Sequence, residues 1–136
     1  ALDIGVRSFD VQAADHLTRR IPEVIDHYVK AWRGAYDLTV FHTPCTYSDE
    51  ALCRELVPFA EEILGKGHVS QIPPMTGTED FGYITREVPG MFAFIGAGQP
   101  GNAPLHNPHM VLDEEVLPLG AALHAYTAMA WLDSRR

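Results

Sequence analysis

Between Gly90 and Gly96 runs Met91-Phe92-Ala93-Phe94-Ile95, five apolar residues with no polar break. A strand that is wet on one face alternates, whereas a strand covered on both faces reads as a short continuous run bounded by turn residues. This segment therefore predicts a buried strand of the parallel kind, lying under helices. The rest of the chain is read around it. Leu2, Ile4 and Val6 alternate with Asp3, Gly5 and Arg7, which predicts a first strand with one wet face. Tyr36, Leu38 and Val40 alternate again, and His68 to Ile72 is a third short strand closed by Pro73-Pro74.

Helical spacing lies between these segments. Asp10 offers an N-cap, and Leu17, Ile21, Val24, Ile25, Tyr28 and Trp32 form one stripe, with Gly34 as the stop. Pro22 falls inside that stripe and is expected to bend or split it. A second helix reads through Leu52, Leu56, Phe59, Ala60, Ile63 and Leu64, is interrupted by Pro58, and stops at Gly65 and Gly67. Thr76 and Glu79 have capping-box spacing ahead of a short helix carrying Phe81, Ile84 and Val88. A last helix from about Glu114 to Asp133 is apolar on nearly every side and is expected to lie buried on a sheet. Pro100 to Leu112 is a long irregular loop. The order of elements predicts an α/β fold: half of a small α+β sandwich first, then the tail of a doubly wound sheet. A boundary is placed in the turn-rich stretch Thr43 to Asp49.

Ten Lys and Arg against 18 Asp and Glu give a formal charge of −8. Nucleic-acid binding rewards clustered cations through counterion release, so this balance argues against it. A chain of 136 residues can bury roughly two-thirds of its unfolded surface. Cys45 and Cys53 fit neither a metal knuckle nor a disulfide framework and are read as free thiols in a reducing, cytoplasmic compartment. No signal peptide is visible at the start of the chain, and the longest apolar stretch, Val116 to Leu132, is too short for a membrane span.

Ligands of open α/β sheets bind beyond the carboxyl ends of the strands. The buried strand ends in Gly96-Ala97-Gly98, and the loop after it carries Leu105-His106-Asn107-Pro108-His109. His106 is a metal-ligand candidate by position and equally a plain loop histidine, since one His makes no site. His109 has the same two readings, and His124 reads as a core histidine. Thr76 to Phe81 either presents free N–H groups to an anion or simply caps a helix. Arg7 either grips a substrate carboxylate or is an ordinary exposed strand arginine.

Five motifs share one resemblance. Met75-Thr76-Gly77-Thr78-Glu79-Asp80-Phe81 is similar to the M-G-S-E-D-F signature of the hippurate hydrolase and N-acyl-amino-acid amidohydrolase family of dinuclear metallopeptidases. Val88 to Gly98 resembles its V-P-G-x-F-x-x-L-G-A-G, Leu105 to Pro108 its L-H-x-P, and Asp113 to Ala122 its D-E-x-x-L-P-x-G-A-A. Gly5 to Asp10 resembles the G-T-V-R-T-F-D strand of the family's lid. The resemblance implies that residues 1–46 are half of a ferredoxin-like lid and dimerisation domain. Residues 47–136 would be the C-terminal segment of the catalytic domain.

By the same resemblance His106 is a metal ligand, Thr78, Glu79 and Asp80 lie beside substrate, and Arg7 is linked to carboxylate binding. The implied activity is cleavage of the amide bond of a small N-acyl amino acid, hippurate-like, by metal-activated water, with two divalent ions, zinc or manganese, in the parent enzyme. The remaining ligands and the glutamate general base would belong to the missing N-terminal part of the same enzyme. These 136 residues alone are then expected to be inactive and to hold no metal stably. A homodimer is expected, with no nucleic-acid and no membrane partner. The alternative reading is a non-catalytic module that self-associates through an exposed strand edge.

Overall fold

A computed structural model of the chain describes residues 2–136; Ala1, at which the expected lid half begins, lies outside the described residues. Four helices form: α1 Val11–Ala31, α2 Glu50–Leu64, α3 Phe81–Glu87 and α4 Val116–Asp133. No strand is present among the described residues. The α/β prediction is therefore corrected, both for the doubly wound sheet and for the ferredoxin-like half-lid. The physical reason lies in where hydrogen bonds are completed. A helix closes its own backbone bonds, whereas a strand needs a partner for every N–H and C=O. Residues 2–6, 36–40, 68–72 and 91–95 have strand-like composition but do not pair with one another. Among the described residues there is then no strand edge of the kind the self-association reading invokes.

The helices begin and end largely where local chemistry directs. Asp10 caps α1 by accepting from Ala13 N–H at 2.6 Å, and Asp49 caps α2 by accepting from Leu52 N–H at 2.7 Å. Gly65, at φ +88°, ends α2 where the sequence places the stop. Pro22 and Pro58 sit inside α1 and α2, yet each helix runs through its proline unbroken.

The C-terminus of α1 differs from expectation in one residue. The Arg33 N–H donates to Lys30 O and the Gly34 N–H to Val29 O, both at 3.0 Å, the paired bonds of a Schellman motif. The left-handed position of that motif is filled by Arg33, at φ +53°, and not by Gly34. An L-residue there costs about 1 kcal/mol relative to glycine. Arg33→Gly is accordingly expected to stabilise the protein by about 0.5–1 kcal/mol, read as a higher thermal midpoint; an unchanged or lower midpoint contradicts the strain.

The chain divides into two compact units, Ala1–Ser48 with Ile72–Gly90, and Asp49–Gln71 with Met91–Arg136. In the first, α1 keeps much of its apolar stripe open, with Tyr28 66% and Trp32 75% exposed. In the second, α2 packs on α4. Ala60 and Pro44 are the buried apolar side chains among the described residues, so the expected large core does not assemble. The last helix, predicted to be covered by a sheet, instead leaves Leu117, Met129 and Leu132 more than half exposed. His124 is exposed as well, contrary to its reading as a core histidine. With no sheet to lie on, α4 packs on α2, and the Ile95 side chain lies beside Gly120.

Polar contacts lock the α2–α4 pair. Trp131 Nε1–H donates to Glu55 Oε2 at 2.7 Å, Arg135 donates to the same oxygen, and the Arg135 guanidinium stacks 4.3 Å above the Trp131 ring. The Tyr126 hydroxyl donates to Glu62. The Trp131 hydrogen bond, and then Arg135, hold the Glu55 carboxyl below its ordinary value of 4.5. A carboxylate with a lowered folded pKa stabilises above its unfolded value, and that contribution is lost as pH falls through the folded one. The thermal midpoint should thus drop on acidification below pH 4.5 in a way that Glu55→Gln removes. Identical pH profiles for the two proteins would count against this lock.

Candidate functional site

The loop from Ala97 to Asp113 is closed by its own polar residues. At the neck the Asp113 N–H donates to Ala97 O at 2.8 Å, and Gln99 Nε2 donates to Asp113 Oδ2 at 3.1 Å. One step further out, Asn102 Nδ2 donates to Val111 O at 3.0 Å. At the tip the Asn107 N–H donates to Pro104 O at 3.2 Å, forming a turn in which His106 is the third residue. His106 stands at φ +67°, the value that this turn position requires in type II geometry and that glycine or asparagine usually supplies. The side chain is exposed and makes no hydrogen bond among the described residues. A non-glycine residue at positive φ carries local strain, and among the described residues Arg33 and His106 are the two that do so. His109 is also exposed, and its backbone N–H closes on Asn107 Oδ1 at 2.9 Å.

In the other unit, Thr78, Glu79 and Asp80 are all exposed ahead of α3. The capping box expected of Thr76 and Glu79 does not form. The N-cap of α3 is Asp80, with no side-chain cap bond, and the Glu79 carboxylate folds back to accept from Asp80 N–H at 2.9 Å. Helix α3 is only seven residues long, so its dipole offers little to an anion. What fixes this segment is its packing on residues 42–47. Gly82 is buried, and a Cβ there would lie 2.6 Å from Pro44 O. Tyr83 OH donates to His42 O at 2.8 Å, the Thr46 hydroxyl donates to Glu79 O at 3.2 Å, and the Tyr47 N–H donates to Thr85 Oγ1 at 3.4 Å. Arg7 is exposed in the same unit, its guanidinium reaching only Val6 O at 3.4 Å.

Sequence reasoning did not single out Pro44, Thr46 or Gly82. The one available signal was the glycine at position 82, whose missing Cβ permits close backbone approach. Among the described residues no group of three or more His, Cys, Asp or Glu side chains comes together to hold a metal ion. A divalent site needs three or four ligands at fixed geometry, and His106 offers one. The described residues by themselves do not fit a complete metal centre.

Comparison with known proteins follows the motifs. Residues 4–130 match the profile of the peptidase family M20/M25/M40. The chain belongs to this family. Among family members it is 31% identical over 137 residues to the IAA-amino acid hydrolase ILR1-like 6 of Arabidopsis thaliana, covering 95% of the chain and 30% of that relative. It is 30% identical to the IAA-amino acid hydrolase ILR1-like 4 of the same plant, with 93% of the chain and 30% of the relative covered. To the N-acetyldiaminopimelate deacetylase of Streptococcus suis it is 35% identical over 104 residues, or 74% of the chain and 26% of the relative. The chain thus spans about 30% of the length of these two plant relatives. No helix among the described residues is long and apolar enough to cross a membrane.

Proposed function

We propose that the chain is the C-terminal portion of an amidohydrolase that cleaves the amide bond of small N-acyl amino acids, hippurate-like in form. The observation that carries this reading is the family match across residues 4–130. The relatives supply the substrate class: one is a hydrolase of an IAA–amino acid, another removes an N-acetyl group from diaminopimelate. In this reading residues 1–46 belong to a lid and dimerisation domain and residues 47–136 to the catalytic domain. One compact unit breaks after Ser48, close to that boundary, although Ile72–Gly90 of the second segment groups with residues 1–48.

His106 would supply one imidazole to a pair of divalent ions, zinc or manganese, whose other ligands lie outside these 136 residues. A bound divalent metal polarises an amide carbonyl and lowers the pKa of water. The residues present have other tasks. Arg7 would grip the substrate carboxylate with its planar fork. Thr78, Glu79 and Asp80 would line the acyl or amino-acid pocket. The parent would work as a homodimer, covering the exposed Tyr28 and Trp32 of α1. The free thiols Cys45 and Cys53 suit a reducing cytoplasm.

The test is turnover by the full-length parent of a panel of N-acyl amino acids, with amino-acid release as the readout. Hydrolysis of at least one member at metal-replete conditions is expected. No release from any member, by a folded and metal-loaded protein, would contradict the reading.

A further inference from the structure

Residues 44–46 touch both segments on which the proposed substrate site depends. Cys45 Sγ donates to Ser8 O at 2.9 Å, and Ser8 directly follows Arg7. The next residue, Thr46, donates to Glu79 O at 3.2 Å, within the Thr78 to Asp80 loop. Two adjacent residues thus hold two segments some 70 positions apart in sequence. The strap they sit on is itself fixed. Pro44 is the most deeply buried large side chain of the described residues, and its carbonyl oxygen fills the space that a side chain at position 82 would need. The rigid proline ring and the absent Cβ at Gly82 let the two backbones meet, and Tyr83 and Tyr47 pin the strap on either side.

From this juxtaposition we infer that Cys45 and Thr46 are positioning residues for substrate, one placing the Arg7 guanidinium and the other placing the Thr78 to Asp80 loop. The inference rests on the substrate roles proposed above for those residues. It assigns the spacing between carboxylate grip and pocket loop to a three-residue strap. Each contact holds the backbone of a segment proposed to bind substrate and not the reacting atoms, so each acts on binding more than on the chemical step.

The experiment uses the full-length parent and two substrates, an N-acyl amino acid and its carboxamide, which lacks the carboxylate. Cys45→Ala is expected to raise KM about fivefold for the acid and to leave KM for the carboxamide within twofold. Thr46→Val is expected to raise KM about fivefold for both, with kcat within twofold. Cys45→Ser and Thr46→Ser, which keep a donor, restore KM. Lowered thermal midpoints with unchanged KM for both substrates would assign the strap to folding alone and overturn the inference. Arg7→Ala and Thr78→Ala serve as the separate check on the site itself. If neither changes either KM, the substrate reading fails and the inference falls with it. If both raise KM while the Cys45 and Thr46 variants do not, only the inference falls.

Discussion

His106→Ala in the full-length parent is expected to lower turnover of an N-acyl amino acid by about 100-fold or more, the scale on which metal sites respond to loss of a supporting group or ligand. Two losses could lower turnover here, that of the imidazole and that of the turn. His106 stands at φ +67° in a turn closed by the Asn107 N–H on Pro104 O. Alanine at that φ would strain the turn as well as remove the imidazole. His106→Asn keeps a residue that tolerates left-handed backbone and removes the metal-binding ring nitrogens. Both variants should lose activity to a similar extent. Activity retained by His106→Asn would make the turn, and not the imidazole, the contribution of this position.

Gly82→Ala is expected to lower the stability of the parent by about 1–3 kcal/mol, the usual cost of forcing a methyl into a filled space. The obstruction is backbone: Pro44 O would lie 2.6 Å from the added carbon, with the Cys45 carbonyl at 3.2 Å. A flexible side chain could step aside, but this strap is held at His42, Thr46 and Tyr47. The same substitution should move the Thr78 to Asp80 loop and raise KM beyond what the stability loss explains. Thermal or denaturant unfolding of the variant measures the first effect. A midpoint equal to that of the unsubstituted protein would show that α3 and the strap are not packed this closely.

Local chemistry in the sequence read well; long-range pairing did not. Asp10 and Asp49 cap helices because a short carboxylate can reach a free N–H two or three residues on, and that needs no knowledge of the rest of the fold. The stop at Gly65 follows from its tolerance of positive φ. Alternation at Leu2 to Arg7 and the apolar run Met91 to Ile95 are equally plain, but a strand is a relation between two segments, and these find no partner among the described residues. The amphipathic stripe of α1 shows the same limit: its spacing was legible, its open face at Tyr28 and Trp32 was not. At the candidate site, His106 was singled out through its loop and its L-H-x-P context. The strap at Pro44, Cys45 and Thr46 was not foreseen, because it is built from contacts to residues 8, 79 and 82 that no spacing rule predicts.

Metal content of the full-length parent, measured by elemental analysis before and after His106→Ala, tests most directly whether this chain lends one imidazole to a metal centre built mainly elsewhere. The substituted protein, still folded by circular dichroism, should retain clearly less zinc or manganese than the original after dialysis. Equal metal content together with equal turnover in the two proteins would show that His106 holds no metal.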